Sequence, residues 1–269
     1  MRQLEGKSAM ITAAASGIGR ATAITLAKRG ASVMLADIAL GAAEAVAAEI
    51  RSEGGVAEAI HCDIGEEAQI KAAIDATVST FGKIDILHNN AALLDPEVFA
   101  EDVDITTIST EAWDRTMQVT LRGTMLGCKY AVIEMKKTGG GSIVNTSSMY
   151  GVSAFYRQSA YGVAKGAIIT LTEYVATSFG RDNIRCNAIA PSMIRTPILA
   201  EIIPEALIKL NEDSVLLPFL GEPQDMANVV AFLASEEARY LTGLVIKADG
   251  GSTSHLATYA DARRFYDGA

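Results

Sequence analysis

Short apolar or β-branched runs alternate along the chain with longer alanine-rich segments, and this alternation restricts the possible folds more than any other feature. Runs of this length and composition are typical of β-strands. Seven of them occur, at residues 8–12, 32–36, 56–61, 84–88, 142–146, 184–189 and 244–248. Strands that alternate with helices predict an α/β fold in which helices cover both faces of a seven-stranded parallel sheet.

The segments between the strands have helix-forming composition, and their apolar residues recur about every 3.6 positions. The predicted helices are residues 17–29, 42–53, 66–81, 111–137, 158–179 and 224–234. No low-complexity linker, short-period repeat or change of composition interrupts this pattern. We therefore expect residues 1–269 to form a single domain.

Two insertions and a tail depart from the regular alternation. Residues 93–110 are acidic and are predicted to form a loop, whereas residues 197–221 are rich in isoleucine and leucine. Because long insertions in compact domains are usually functional, we predict a substrate flap at 197–221, with a structural helix pair as the alternative. The tail, residues 252–269, would cover an active site, lie at a subunit interface or be disordered.

Composition limits the partners of the chain. A hydrophobic content of 49% can fill a substantial core, and a formal net charge of −9 opposes a phosphate-binding surface. We therefore expect neither nucleic acids nor membranes as partners. Cys62, Cys128 and Cys186 lack a CxxC arrangement, and the first residues lack a charged leader followed by an apolar stretch. A reduced, cytoplasmic location is the expectation.

The first predicted strand is followed by small residues that lead directly into a helix. Three alanines separate Thr12 from Ser16, Gly17, Ile18 and Gly19. Small residues let the backbone approach a pyrophosphate, and the N–H groups of a helix N-terminus carry partial positive charge. Open α/β sheets bind ligands at the carboxyl ends of their strands, so this turn predicts a dinucleotide cradle of the Rossmann type.

Asp37 follows the second predicted strand. A carboxylate there can accept hydrogen bonds from both hydroxyls of the adenosine ribose, and it would repel a 2′-phosphate. Positions 16 and 38 hold a serine and an isoleucine, Ser16 and Ile38, and not a lysine or arginine that could bind such a phosphate. We therefore predict NAD rather than NADP as cofactor. Capping of the next helix by Asp37 is the alternative.

Tyr161 and Lys165 are four residues apart on a predicted helix, which places a phenol and an ammonium on one face. The ammonium and a nicotinamide cation would both favour the phenolate, so Tyr161 could exchange protons. Ser148 lies just past the fifth predicted strand and could present its hydroxyl at the same sheet edge. Ser147 is adjacent and chemically identical, so it competes for this role.

The order of these motifs is similar to that of the short-chain dehydrogenase/reductase family over nearly the whole chain. The matching pieces are Ser16-Gly17-Ile18-Gly19, Asp37, Cys62-Asp63-Ile64, Asn89-Asn90-Ala91-Ala92, Ser148, Tyr161 with Lys165, and the run from Pro191 to Pro197. The resemblance implies an NAD-dependent oxidoreductase that forms a homotetramer. The spacing of Tyr161 and Lys165 resembles that of alcohol and ketone enzymes of the family, whereas enoyl reductases usually show a wider gap.

The resemblance also implies roles for individual residues. Ser148 would polarise the substrate oxygen, Tyr161 would exchange its proton, and Lys165 would bind the nicotinamide ribose and lower the tyrosine pKa. The implied cofactor contacts are Asp63 and Ile64 with adenine, Asn90 and Ala91 with ribose, and Ile194 and Thr196 with the carboxamide. The other expected cofactor-binding residues are Ser16, Gly17, Ile18, Gly19, Asp37, Ile38, Cys62, Ala92, Pro191 and Ser192.

Three positions depart from the family pattern. Ala13 and Ser192 replace glycines, and neither change adds charge or much volume. Thr120 stands where the family has an asparagine that is thought to hold a water between the lysine ammonium and solvent. A threonine hydroxyl could hold a water differently, so Thr120 is a catalytic candidate and we expect a reduced rate.

The remaining candidates concern the substrate wall and metal ions. Met149, Phe155, Tyr156 and Met193 fall beside the predicted catalytic groups and would form a hydrophobic wall, with ordinary packing as the alternative. The three histidines are scattered along the chain, so we expect no metal site.

These observations predict a secondary alcohol dehydrogenase or ketone reductase that acts on a hydrophobic or cyclic small molecule. In the oxidation, the Tyr161 phenolate takes the hydroxyl proton while the carbinol hydride passes to NAD. The alternative is an NAD-binding scaffold or regulator with weakened catalysis, which Thr120 supports. An epimerase or dehydratase usually needs a larger substrate domain than a chain of 269 residues offers.

Overall fold

The computed structural model describes residues 3–197, 199 and 203–267. Its strands are β1 (Ser8–Thr12), β2 (Ser32–Asp37), β3 (Val56–His61), β4 (Ile86–Asn89), β5 (Gly141–Thr146), β6 (Ile184–Pro191) and β7 (Val245–Ala248). They pair in parallel in one sheet, in the order β3-β2-β1-β4-β5-β6-β7. The predicted α/β fold with seven parallel strands is confirmed.

Helices connect the strands. They are α1 (Gly17–Lys28), α2 (Leu40–Ser52), α3 (Glu67–Phe81), α4 (Pro96–Glu101), α5 (Thr110–Thr116), α6 (Gly123–Thr138), α7 (Met149–Val152), α8 (Ser159–Phe179), α9 (Glu205–Ser214), α10 (Pro223–Ala234) and α11 (Tyr259–Asp267). The prediction of a loop at 93–110 is wrong for α4. This helix starts at Pro96 because the carboxylate of Asp95 accepts the N–H of Glu97 at 3.0 Å, a common helix-start arrangement.

Two apolar layers cover the two faces of the sheet. Met10 of β1 belongs to the layer with Ile74 of α3 and Leu126 of α6. The next residue, Ile11, belongs to the other layer, with Leu26 of α1. Successive side chains of a strand point to opposite faces, so a strand buried on both sides is apolar throughout.

The strand order reverses beside β1, because the chain builds β2 and β3 on one side and then crosses back to place β4 on the other. Such a reversal opens a crevice at the carboxyl ends of the strands, where open α/β sheets bind ligands. The turn after β1, Asp37 at the end of β2 and Asn90 after β4 all lie at this edge.

The predicted helix at 111–137 is continuous but not regular. Between α5 and α6 the chain forms a π-helical stretch, Met117–Arg122, which contains Thr120. The side chains of Gln118 and Arg122 hold this stretch by donating to the carbonyl of Gly65 at 3.2 and 2.9 Å. π-helical turns are rare and often lie at functional sites.

Candidate active site

The turn between β1 and α1 forms a tight backbone cradle. A Cβ atom at Gly19 would lie 2.0 Å from the carbonyl oxygen of Ala13, so a glycine is required there. Ala13 itself has a φ of 52°, in the left-handed region, which costs an alanine about 1 kcal/mol or more. The replacement of a family glycine by Ala13 is therefore a strained substitution, which corrects the expectation that only its small volume matters.

Contacts with the segment after β4 hold the cradle in place. Oγ1 of Thr12 accepts the N–H groups of Asn90 and Ala91 at 2.9 and 3.0 Å. Nδ2 of Asn90 donates to the carbonyl of Thr12 at 3.2 Å. Ser16, the residue just before α1, makes no side-chain capping bond, and no acidic side chain occupies the first turn of the helix. The first N–H groups of α1 are therefore suited to an anionic ligand such as a pyrophosphate.

A cleft of about 390 Å³ lies beside the cradle. Its lining includes Ala13 and the predicted cofactor residues Asp37, Ile38, Cys62, Asp63, Ile64, Ala91 and Ala92. Burial and the nearby carboxylates of Asp63 and Asp37 raise the pKa of the Cys62 thiol to about 11, so Cys62 is a neutral wall residue.

Asp37 makes both a capping contact and a contact with the cradle. Its Oδ1 accepts the N–H of Ala39, just before α2, and its Oδ2 accepts the N–H of Ala15, each at 2.8 Å. A carboxylate has about four lone-pair positions, so these two bonds leave capacity for ribose hydroxyls. The cradle and this cleft together fit the pyrophosphate and adenosine of a nicotinamide dinucleotide.

Ser148, Tyr161 and Lys165 come together at the carboxyl end of β5. The Ser148 hydroxyl caps α7 by accepting the N–H of Tyr150 at 3.2 Å, and it lies beside the Tyr161 phenol. Nζ of Lys165 lies 5.6 Å from the centre of the Tyr161 ring. Ser147 is buried, and its hydroxyl donates to the Lys165 carbonyl at 2.7 Å. The tertiary structure thus distinguishes the two adjacent serines.

Burial dominates the ionisation of these groups. It raises the pKa of Tyr161 to about 12, and the neighbouring Ser148 hydroxyl partly opposes this rise. Burial also lowers the pKa of Lys165 to about 7, and Nζ donates to the carbonyl of Thr146 at 2.7 Å. Ser148 is the group that lowers the Tyr161 pKa here, and the same effect expected of Lys165 stays a prediction.

A second cleft, of about 590 Å³, opens at Ser148 and Tyr161. Its described lining contains no charged side chain. It includes the predicted substrate-wall residues Met149, Phe155 and Met193. It also includes four residues predicted to bind the cofactor, Pro191, Ser192, Ile194 and Thr196. Tyr156 is not part of this lining; its side chain is 77% exposed, and its ring lies 4.7 Å from that of Phe155. The predicted contribution of Tyr156 to the substrate wall is not supported by this position.

The predicted flap and tail meet at this cleft. Leu199, Ile203 and residues of α9 line it, and the N–H of Arg195 donates to the carbonyl of Gly221 at 2.8 Å, which joins the two ends of the insertion. Residues 198 and 200–202 of the flap lie outside the described residues. The tail forms α11, and its Arg264 binds Asp213 of α9 at 2.8 Å.

Thr120 supports the backbone near the first cleft. Its side chain is fully buried, and its Oγ1 accepts the N–H of Leu93 at 3.1 Å. Leu93 lines the 390 Å³ cleft. Within the described ranges, no hydrogen bond joins Thr120 to Lys165.

Two aromatic residues of the site were missed by sequence reasoning. The rings of Phe99 and Tyr150 lie 5.6 and 6.2 Å from the Tyr161 ring, and both residues line the second cleft. Phe99 was hidden in the predicted acidic loop. Tyr150 was the easier to find, because it follows the singled-out pair Ser148 and Met149 directly.

The described part of the chain contains neither a cluster of metal-binding side chains nor a membrane-spanning helix. No group of three or more histidine, cysteine, aspartate or glutamate side chains there could hold a metal ion. No helix in that part is both long and apolar enough to cross a membrane. The three cysteines are free and buried.

The parallel sheet, the cradle and the cluster of Ser148, Tyr161 and Lys165 fit a nicotinamide-dinucleotide oxidoreductase. A family model described as "Enoyl-(Acyl carrier protein) reductase" matches residues 12–253. A 7alpha-hydroxysteroid dehydrogenase of Bacteroides fragilis is 38% identical over 96% of this chain and 98% of the relative. A cyclohexanol dehydrogenase of an Acinetobacter species (strain SE19) is 37% identical over 94% of this chain and 97% of the relative.

Solved structures agree with these matches. A short-chain type dehydrogenase/reductase from Mycobacterium ulcerans is similar with a TM-score of 0.89 and 30% identity, covering 98% of this chain and 96% of that one. The chain belongs to the short-chain dehydrogenase/reductase family, and it is an oxidoreductase that uses a nicotinamide dinucleotide.

Proposed function

We propose that this protein is an NAD-dependent dehydrogenase of secondary alcohols, and that the reverse reaction reduces ketones. The observation that carries the proposal is that Ser148 and Tyr161 together line an uncharged cleft next to the dinucleotide cradle. Ser148 and Tyr161 supply the two hydroxyls that bind and protonate or deprotonate a substrate oxygen, and this chemistry suits an alcohol or a ketone.

The lining of the second cleft favours a neutral, hydrophobic, cyclic substrate. Phe99, Tyr150 and Phe155 present aromatic surfaces, and no charged side chain of the described lining could pair with a phosphate or carboxylate. A cleft of about 590 Å³ has room for a ring system of drug size. The names of the hydroxysteroid and cyclohexanol dehydrogenases are consistent with this substrate class.

In the proposed oxidation, the protein handles the proton. Ser148 donates a hydrogen bond to the substrate oxygen and holds it near Tyr161, whose phenolate takes the hydroxyl proton. Lys165 presents an ammonium that favours this phenolate through electrostatic attraction. NAD supplies the hydride acceptor when it is bound. Cradle residues Gly17 and Gly19, with Asp37, would hold its pyrophosphate and ribose.

The proposed function is tested by following absorbance of reduced nicotinamide with a panel of cyclic, steroidal and aromatic secondary alcohols. We expect turnover with NAD and a lower kcat/KM with NADP, because Asp37 would repel a 2′-phosphate. Asp37→Ala should narrow this preference. Cofactor binding without turnover of any alcohol or ketone would instead support a scaffold, and equal use of NADP would contradict the NAD proposal.

Thr120→Asn tests the scaffold alternative and the proton path. We expect this variant to turn over faster than the unmodified protein, because an amide can accept the N–H of Leu93 through its oxygen and offers two N–H donors for a water, whereas the threonine hydroxyl offers one donor. The measurement is kcat, with thermal unfolding as the control for packing at this buried position. An unchanged kcat in a normally folded variant would remove the support for a proton-relay effect of Thr120.

We also propose that residues 1–269 form one domain and that this domain assembles as a homotetramer. Residues 197–221 would form a substrate flap. Large apolar side chains on α6 and α8 are exposed in the single chain, which supports self-association: Met125, Ile133, Val163 and Tyr174. The flap proposal is supported by Leu199 and Ile203, which line the second cleft.

A further inference from the structure

Asp102 connects the segment after α4 to the helix that carries Tyr161 and Lys165. The residue is only 3% exposed. It accepts three hydrogen bonds from the first turn of α8: from Oγ of Ser159 at 2.9 Å, from the N–H of Ala160 at 3.0 Å and from the N–H of Tyr161 at 3.4 Å. The carbonyl of Asp102 also accepts the N–H of Gln158 at 2.8 Å. The start of α8 is thus bound on both its side-chain and backbone groups.

The start of α8 lacks a cap from its own sequence. Gln158, which precedes the helix, has φ 60° and ψ 49°, in the left-handed region, and makes no side-chain capping bond. The first N–H groups of a helix have no partner within the helix, and the helix dipole attracts negative charge there. Asp102 supplies both the acceptor and the charge, although 58 residues separate it from Ala160.

The same contact fixes one wall of the substrate cleft. Phe99 precedes Asp102 by less than one helical turn, and its ring packs 5.6 Å from the Tyr161 ring. Other acidic residues of this segment do not reach α8: Glu101 binds Ser109, and Asp104 binds Thr106. Asp102 is therefore the carboxylate that links the segment carrying Phe99 to the first turn of α8, which carries Tyr161.

We infer that Asp102 is a positioning residue that sets the location of the Tyr161 phenol relative to the substrate oxygen. The inference rests on the proposed function, in which Tyr161 exchanges a proton with that oxygen. Proton transfer requires the two oxygens to be within hydrogen-bond distance, and a misplacement of about 1 Å can cost about 10²-fold in rate. Loss of the Asp102 contacts would leave the chemical groups present but poorly placed.

The test compares Asp102→Asn with the matched control Asp104→Asn. The asparagine keeps the shape of Asp102 but removes its negative charge, and its one amide oxygen can accept either from Ser159 or from the N–H groups of Ala160 and Tyr161, but not from both. We expect kcat to fall by about tenfold or more while the Kd for NAD stays within about twofold, because the cradle lies elsewhere. Amide hydrogen exchange in the first turn of α8 should become faster. Asp104→Asn should change none of these quantities.

Ser159→Ala provides a second, milder variant. It removes the hydroxyl donor but keeps the backbone bonds of Asp102 to Ala160 and Tyr161, so we expect a smaller fall in kcat than for Asp102→Asn. The inference is overturned if the unmodified protein is active and kcat of Asp102→Asn stays within about twofold of its kcat. It is also overturned if NAD binding and cooperative unfolding are lost together with kcat, since Asp102 would then act on stability.

The outcome can be separated from a failure of the proposed function. If the unmodified protein binds NAD but oxidises no alcohol, the proposed function fails. Amide hydrogen exchange still tests the contact between Asp102 and the first turn of α8 in that case. Faster exchange of this turn in Asp102→Asn supports the contact, and unchanged exchange contradicts it.

Discussion

Tyr161→Phe is expected to lower kcat by about 10²- to 10⁴-fold, the range associated with general acid–base catalysis, while the protein still folds and binds NAD. The substitution removes the phenolic oxygen that exchanges the proton. It keeps the ring, which packs against Phe99 and Tyr150 at 5.6 and 6.2 Å, so the substrate cleft should keep its shape. The measurement is the steady-state formation of reduced nicotinamide with the best alcohol of the panel.

Tyr150→Phe is the matched control for this prediction. Tyr150 lines the same cleft and also carries a phenol, whose pKa burial raises. Its ring stacks on Phe155 at 5.0 Å, and the phenylalanine ring can do the same. We expect kcat of this variant to stay within about threefold of the unmodified protein. If kcat falls to a similar extent in Tyr161→Phe and Tyr150→Phe, the result contradicts the assignment of the proton exchange to Tyr161.

Gly19→Ala is expected to raise the Kd for NAD by about 10²-fold or more, which corresponds to losing one or two hydrogen bonds to a charged group. The new Cβ would lie 2.0 Å from the Ala13 carbonyl oxygen and 2.9 Å from Nδ2 of Asn90. The neighbouring backbone must therefore move, and the N–H groups at the start of α1 move with it. Calorimetric titration with NAD measures the effect.

Gly41→Ala serves as the control for Gly19→Ala. Gly41 lies in the first turn of α2, and a Cβ there would meet no atom within 4 Å. We expect this variant to bind NAD as the unmodified protein does. If Gly19→Ala also binds NAD normally and unfolds at the same temperature, the cradle does not hold the pyrophosphate in the proposed way.

Local sequence patterns were sufficient for the fold. The seven strands were predicted to within two residues at each end, because their short apolar or β-branched runs differ clearly from the longer alanine-rich helices. α4 was missed, since its six residues are too few to show a helical period. The π-helical stretch at Met117–Arg122 also escaped prediction, because its sequence still has helix-forming composition.

The candidate site was less accessible from sequence. Tyr161 and Lys165 could be paired because residues four apart on a helix share a face. Residue spacing alone did not separate Ser147 from Ser148, and only the family resemblance favoured Ser148. The structure buries Ser147 against the Lys165 carbonyl and places Ser148 beside Tyr161. Tyr156 was placed in the substrate wall by its position in the chain, but it is not among the described lining residues, and its side chain is 77% exposed.

The sequence by itself determined the sheet, the cradle and the family, because alternation of strands and helices and the order of short motifs are properties of neighbouring residues. Only the tertiary structure decided which groups meet across long chain separations. Asp102 caps α8, Thr120 holds Leu93, and the buried Lys165 has a lowered pKa. Each of these depends on packing between segments distant in the chain, and a local pattern records which face a residue occupies but not which segment will cover it.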